Sequence, residues 1–234
     1  MWIIHFSIVL LLTLASLVAS GQPVGPPVLI VLAVDASKSA LPVPKPTVRQ
    51  LREIEALLLE NNTSGTIAFA VIGNPKPEMR HFYRFNLESL PVVKSNVVLT
   101  VQAQIRRQAQ LAMAENRRRS IEWEALYQQV VLQYKPNGSE LSNVSEVFAK
   151  ATILLREPAY KGYRRILVFC SDLKNEPKRP NAVVPWSISL NGIPQLTVIG
   201  TGASDPNPFT GLSNYVVLAD VAGLVPAIKA ILNP

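Results

Sequence analysis

Three side chains that follow an apolar run place one carboxylate and two hydroxyls close together in the sequence. The run covers residues 28–34, and the side chains are Asp35, Ser37 and Ser39. Carboxylate and hydroxyl oxygens are hard ligands, which suit Mg²⁺, Mn²⁺ or Ca²⁺ better than zinc. The pattern therefore predicts an oxygen-ligated divalent-cation site. The alternative is that Asp35 and Ser37 only cap the helix that follows, since Asp and Ser are favoured N-cap residues.

A second apolar run ends in a similar way far downstream. Residues 164–170 lead into Ser171 and Asp172. Short runs rich in β-branched residues are typical of strands buried on both faces of a parallel sheet. If the two strands are neighbours, Asp172 reaches the same sheet edge as Asp35, and open α/β sheets bind ligands at that edge. Two close carboxylates require a cation or a proton between them, because like charges repel.

These two strand ends resemble the von Willebrand factor type A (vWA) domain with its metal-ion-dependent adhesion site (MIDAS). The resemblance covers residues 28–232 and rests on the Asp-x-Ser-x-Ser sequence of the first strand end and the Ser-Asp of the second. It implies that Ser37 and Ser39 ligate the ion directly. It also implies that Asp35 and Asp172 compensate the charge of the ion through bridging water.

The sequence departs from the vWA pattern at two positions. Leu173 stands where the Thr-Asp-Gly sequence of the family has glycine, so the turn after Asp172 must form differently. The loop threonine that the family contributes as a third hydroxyl ligand is absent. Ser142 is the best-spaced residue to replace it, whereas Ser145 is expected to be the N-cap of a helix over residues 146–156.

The other segments alternate between strand and helix patterns. Apolar residues at helical spacing or in short runs predict helices over residues 47–60 and 221–232 and strands over residues 66–72, 82–85 and 195–200. Strands separated by helices form right-handed crossovers. The predicted fold class is therefore α/β, with a mostly parallel central sheet flanked by helices as in vWA and Rossmann-like domains, and with one such domain over residues 28–234.

Residues 95–134 are predicted to form a long helical segment inserted in this domain. They contain no Pro or Gly, and Val98, Val101 and Ile105 begin an apolar stripe at helical spacing. A polar stretch over residues 115–120 separates this stripe from a second one. One continuous helix and two consecutive helices both agree with this pattern.

The densest positive charge of the chain lies in this segment, at Arg117, Arg118 and Arg119, and the formal net charge is +7. Basic surfaces attract nucleic acid, anionic lipid or acidic proteins, and for an exported protein we expect no nucleic acid. The alternative is a solvated helix face whose arginines pair with Glu115, Glu122 and Glu124. Trp186, in the proline-rich loop after Asp172, is a second candidate partner contact, and its alternative is to pack on the domain.

Residues 1–20 are almost entirely apolar and end in small residues, which is typical of a secretory signal peptide. They lack a basic segment before the apolar stretch, whose length is close to the roughly 18-residue lower limit for a membrane span. An uncleaved signal anchor is therefore the alternative. We expect a secreted or periplasmic protein, or one attached to a membrane through this segment, with residues 21–27 as a linker.

The sequence offers little support for catalysis, so we expect no enzyme. The only histidines are His5 and His81, and the single cysteine, Cys170, lies inside a predicted strand, so a histidine-activated nucleophile is not indicated. The predicted function is an exported vWA-like protein-binding module. In it Mg²⁺, or Mn²⁺ or Ca²⁺, keeps an open position for an acidic side chain of a protein partner, giving cation-dependent adhesion or assembly. The alternative is a structural or scaffold protein with a degenerate metal site, which contacts partners through the basic helix at residues 95–134.

Overall fold

The computed structural model describes residues 25–73, 81–93, 97–136, 142–176, 183–202 and 208–233. Residues 1–20 lie outside these ranges, so the signal peptide and the signal anchor both stay predictions. No described helix combines the length and the apolar character that crossing a bilayer requires.

The centre of the fold is a six-stranded sheet. Its strands are β1 (Val28–Asp35), β2 (Gly65–Ile72), β3 (Tyr83–Leu87), β4 (Arg164–Cys170), β6 (Leu196–Thr201) and β8 (Tyr215–Leu218), and a separate parallel pair consists of β5 (Ile188–Ser189) and β7 (Phe209–Thr210). The spatial order of the large sheet is β3-β2-β1-β4-β6-β8. The predicted α/β class with a mostly parallel sheet is confirmed.

Strand β3 is the exception to the parallel arrangement, because it pairs with β2 in the antiparallel sense. The sequence pattern of strands alternating with helices did not predict an antiparallel strand. The connection from β2 to β3 consists of residues 73–82. A parallel crossover needs a dozen or more residues, whereas a shorter connection returns the chain antiparallel.

Helices cover both faces of the sheet. They are α1 (Val48–Glu60), α2 (Leu99–Tyr127, continued by a π-helix over Gln128–Leu132), α3 (Val144–Arg156) and α4 (Leu224–Leu232). Side chains of α1, α2 and α4 form one core layer with alternate residues of β1 such as Ile30 and Leu32. Helix α3 forms the other layer with Leu29 and Val31. Because β1 is buried on both faces, all eight of its residues are buried, as its unbroken apolar sequence predicts.

The long helical segment is one helix with no break at residues 115–120. Two of the polar residues there, Asn116 and Ser120, are buried and have partners. The side-chain amide of Asn116 accepts from the backbone N–H of Glu88 at 3.0 Å and donates to its carbonyl at 2.8 Å. The hydroxyl of Ser120 donates to Glu55 of α1 at 2.6 Å. The polar stretch that allowed a break therefore packs against other elements, and the structure decides for one helix where the sequence left one and two helices open.

Candidate metal-binding site

The two predicted strand ends meet in the structure. Strands β1 and β4 are parallel neighbours, and Val34 pairs with Cys170, so Asp35 and Ser171 follow at the same edge. In the sheet, β1 has β2 as its neighbour on one side and β4 as its neighbour on the other, so the strands that follow β1 in sequence lie on opposite sides of it. This reversal of strand order is the position at which open α/β sheets form a ligand-binding crevice. The predicted convergence of the two strand ends is confirmed.

Asp35 is completely buried, and each of its carboxylate oxygens accepts a hydrogen bond. Oδ1 accepts from the backbone N–H of Ser37 at 2.9 Å, and Oδ2 accepts from the hydroxyl of Ser171 at 2.6 Å. Burial raises the pKa of the Asp35 carboxyl to about 6, because the hydrogen bonds from Ser171 and Ser37 offset desolvation only in part and the charge of Asp172 adds a smaller rise. Asp35 is therefore a desolvated anion at neutral pH.

The hydroxyls of Ser37 and Ser39 lie side by side. Their oxygens are 3.2 Å apart and share a hydrogen bond, and Ser37 is buried while Ser39 is partly exposed. Gly73, at the end of β2, packs directly on Ser37, since a methyl group on this glycine would lie 2.8 Å from the Ser37 Cβ and 2.9 Å from its backbone nitrogen. The glycine therefore holds the backbone of Ser37 in place from the neighbouring strand.

Ser142 belongs to a segment that is tied to the same edge. Its side chain is fully buried, and its hydroxyl has no hydrogen-bond partner among the described residues. The next residue, Asn143, accepts from the backbone N–H of Gly73 at 2.9 Å. Because Gly73 touches Ser37, this bond links the Ser142 segment to the two serines.

Ser145 does not cap helix α3, so that prediction is wrong. The helix begins at Val144 with Asn143 in the N-cap position, and Ser145 lies inside its first turn. The backbone N–H and the hydroxyl of Ser145 both donate to the side chain of Asn175, each at 3.2 Å. A residue distant in sequence therefore supplies the acceptor that a local cap would have provided.

Asp172 is partly buried next to Asp35. One carboxylate oxygen accepts from the backbone N–H of Lys174 at 3.1 Å. The other has no hydrogen bond from the described residues, and the Lys174 ammonium lies 3.6 Å from it. Leu173 makes the turn with a φ of +57°, and its backbone N–H donates to the Ser171 hydroxyl at 2.9 Å. The chain thus forms the turn in the left-handed conformation without glycine.

The side chains at this edge fit a divalent cation with oxygen ligands. In an octahedral Mg²⁺ site with bonds of about 2.1 Å, adjacent ligand oxygens are separated by about 3.0 Å. The 3.2 Å between the Ser37 and Ser39 hydroxyls is the length of their mutual hydrogen bond and is also compatible with that separation. The Ser142 hydroxyl and one Asp172 carboxylate oxygen are buried without a hydrogen-bond partner in the described part of the chain, and the Lys174 ammonium lies 3.6 Å from this Asp172 oxygen. No cluster of three or more His, Cys, Asp or Glu side chains within the described residues suits a metal, so a site here depends on hydroxyls.

Cys170 lies behind the site and is not a nucleophile. Burial raises the pKa of its thiol to about 11, so the thiol stays protonated at neutral pH. Lys45, from the loop before α1, is partly buried, and burial lowers the pKa of its ammonium while the charge of Asp35 opposes that change. The sequence did not single out Lys45, because its loop has no regular pattern.

Trp186 packs on the domain, which is the alternative that the sequence left open. Its ring stacks on Phe148 of α3 with a centroid separation of 5.3 Å, and its indole N–H donates to the carbonyl of Leu173 at 3.0 Å. Trp186 is only partly exposed and supports the turn after β4. Its role as a partner contact stays a prediction.

The basic cluster Arg117–Arg119 lies at the opposite edge of the sheet. Arg119 pairs with Glu88. Glu88 follows Leu87, which lies opposite Gly65 at the start of β2, so this pair lies at the amino end of β2. Arg118 pairs with Glu115 and Glu122 on its own helix. The expected ion pairs therefore form for these two arginines, while the predicted pair with Glu124 does not, because Glu124 binds Arg52 of α1.

The chain matches no protein-family model, and no curated protein shows significant similarity to it. The vWA resemblance therefore rests on the residues described above.

Proposed function

We propose that this chain is an exported vWA-like protein-binding module whose divalent cation, Mg²⁺ or a similar ion, binds an acidic side chain of a protein partner. The single observation that carries the proposal is the pair of hydroxyls, Ser37 and Ser39, 3.2 Å apart beside the buried Asp35 carboxylate. Export rests on the sequence of residues 1–20 alone.

Each residue has a distinct role in this proposal. Ser37 and Ser39 hold the ion directly, with Ser142 as the third hydroxyl. Asp35 supplies negative charge and, through its hydrogen bond from the Ser37 backbone, fixes the position of that serine. Asp172 supplies the second negative charge. When bound, the ion offers an open positive coordination position to a carboxylate oxygen of the partner.

Replacing both serines, as Ser37→Ala with Ser39→Ala, is expected to lower the affinity of the full chain for Mg²⁺ by at least about 100-fold, because two direct ligands are lost. Calorimetric titration of Mg²⁺ and Mn²⁺ measures this loss. The control is Ser187→Ala with Ser189→Ala, a second Ser-x-Ser pair that is exposed and supplies no assigned ligand, and it should bind as the parent does. Unchanged binding in the Ser37 and Ser39 variant contradicts the assigned ligands.

Binding of an acidic peptide distinguishes this proposal from the alternative function, a scaffold that uses the basic helix. Under the metal-site proposal, polyglutamate binds in Mg²⁺, is released by EDTA, and still binds when Arg117, Arg118 and Arg119 are replaced by glutamine. The ion pairs of Arg118 and Arg119 favour this result, since paired arginines have less free charge to offer. Binding that survives EDTA and disappears in the triple variant, measured by fluorescence anisotropy, favours the scaffold.

A further inference from the structure

Two consecutive side chains just before helix α3 are buried with polar atoms that lack a partner. Ser142 is fully buried and Asn143 is 9% exposed. The Ser142 hydroxyl and the Asn143 amide nitrogen form no hydrogen bond with the described residues. Buried polar groups in native proteins are nearly always hydrogen-bonded, so two neighbouring exceptions require an explanation. The proposed function assigns the Ser142 hydroxyl to the ion, which leaves the Asn143 amide to be explained.

The oxygen end of the Asn143 amide is fixed by the backbone of Gly73. It accepts from the Gly73 N–H at 2.9 Å. Since a backbone N–H only donates, the atom that faces it is the amide oxygen, and the nitrogen is the end without an acceptor. Gly73 also packs on Ser37, because a methyl group on this glycine would lie 2.9 Å from the Ser37 backbone nitrogen. Asn143 and Ser37 therefore contact the same glycine.

A carboxylate is the group that the free end of Asn143 suits. A carboxylate that binds the ion through one oxygen has a second oxygen that needs a donor, and the Asn143 amide nitrogen carries two N–H groups. A side-chain amide bound to the ion through its oxygen would instead turn its own N–H groups toward those of Asn143, which leaves donors unpaired. The Lys174 ammonium is a weaker candidate donor, because it lies beside Asp172 and is more than half exposed.

We propose that Asn143 is a specificity-determining residue of this site, whose amide oxygen holds Gly73 against Ser37 and whose amide nitrogen donates to the second oxygen of the partner's carboxylate. The inference rests on the proposed function, because it concerns the carboxylate that the bound ion receives. The two ends of the side chain have separate effects. The oxygen end sets the affinity for the ion through Ser37, and the nitrogen end sets the affinity for the acidic partner.

The test compares Asn143→Asp and Asn143→Ala with the parent in the full chain. Calorimetry measures Mg²⁺ binding, and fluorescence anisotropy measures polyglutamate binding at saturating Mg²⁺. Asn143→Asp keeps the acceptor for the Gly73 N–H and loses the donors. It should bind Mg²⁺ at least as tightly as the parent and polyglutamate at least about tenfold more weakly, because a hydrogen bond to a charged group is lost.

Asn143→Ala removes both ends without adding charge. Its affinity for Mg²⁺ should fall at least about tenfold, because the support of a direct ligand is lost. Its affinity for polyglutamate at saturating Mg²⁺ should also fall at least about tenfold, which separates the lost hydrogen bond from repulsion by the new carboxylate of Asn143→Asp.

Asn62→Asp is the matched control. The Asn62 side-chain oxygen accepts from the backbone N–H of Leu90 at 3.0 Å, and its amide nitrogen is buried without a partner among the described residues, as in Asn143. Leu90 follows Leu87, which pairs with Gly65 at the start of β2, so Asn62 lies at the opposite edge of the sheet. Asn62→Asp should bind Mg²⁺ and polyglutamate as the parent does.

The possible results separate this inference from the proposed function. Weaker polyglutamate binding by both Asn143 variants, but not by Asn62→Asp, supports the inference. Mg²⁺-dependent polyglutamate binding that is unchanged in both Asn143 variants overturns the role of Asn143 and leaves the metal site intact. Absence of Mg²⁺-dependent polyglutamate binding in the parent overturns the proposed function and this inference together. If circular dichroism shows that Asn143→Ala does not fold, Asn143→Gly takes its place, since glycine is accepted at N-cap positions.

Discussion

Replacing Asp35 by asparagine should raise the free energy of unfolding of the metal-free protein at neutral pH and abolish Mg²⁺ binding. Burial raises the pKa of this carboxyl from 3.8 to about 6, which means that the folded state disfavours its charge. Asparagine carries no charge and can still accept from the Ser37 backbone N–H, but its amide N–H faces the Ser171 hydroxyl, whose proton then loses its present acceptor. Removing the disfavoured charge is worth about 3 kcal/mol at about 1.4 kcal/mol per pKa unit, and the lost Ser171 hydrogen bond costs about 1 to 2 kcal/mol, so we expect a net gain of about 1 to 2 kcal/mol.

The same shift determines how stability depends on pH. The folded protein binds the Asp35 proton more tightly than the unfolded chain does, so the metal-free protein should lose stability as pH rises from about 4 to about 6 and then level off. Urea unfolding in EDTA at several pH values should show that the Asp35→Asn variant lacks this contribution. Asp220→Asn is the control, because Asp220 is exposed and asparagine can also accept from the Ala222 N–H. Destabilisation by Asp35→Asn at neutral pH would contradict the expectation.

Replacing Gly73 by alanine should weaken Mg²⁺ binding and destabilise the fold at the same time. The added methyl group would lie 2.8 to 2.9 Å from the Cβ, Cα and backbone nitrogen of Ser37, so Ser37 must shift. The φ of Gly73 is +84°, which adds backbone strain for alanine. We expect a loss of about 2 to 4 kcal/mol from strain and overpacking together, measured by urea unfolding, and weaker Mg²⁺ binding by calorimetry.

Gly162→Ala separates the strain from the contact with Ser37. Gly162 has a φ of +82°, almost the same as that of Gly73, but a methyl group there meets no atom within 4 Å. Its variant should lose only about 1 kcal/mol and bind Mg²⁺ as the parent does. Equal effects of the two substitutions on Mg²⁺ binding would show that the contact between Gly73 and Ser37 does not position the site.

The elements that the sequence predicted well are those whose cause is local. Strands buried on both faces are apolar over most of their length, so β1 and β4 are visible as apolar runs over residues 28–34 and 166–170. Helix α1 has both apolar spacing and a reciprocal cap between Thr47 and Gln50, and all of these signals lie within its own sequence. Its predicted bounds agree with the structure, with Thr47 as the N-cap.

The one wrong helix cap and the alternative that the sequence left open both concern contacts between distant segments. Ser145 looks like a cap in sequence, but Asn175 supplies its acceptor from the loop after β4. The sequence left open a break at residues 115–120, and the bonds of Asn116 to Glu88 and of Ser120 to Glu55 accompany one continuous helix. A local sequence pattern does not show whether a polar side chain has a hydrogen-bond partner far away in the chain. That partner decides whether the residue caps a helix, interrupts it or lies buried inside it.

The sequence by itself determined which oxygen-bearing side chains follow the first apolar run, because one carboxylate and two hydroxyls stand within five residues of each other wherever the chain folds. Only the tertiary structure decided that Asp35 is fully desolvated, that Ser171 donates to it, and that Gly73 supports Ser37. The order of the strands and the path of the loops set these distances, and both depend on packing between segments that are far apart in the chain.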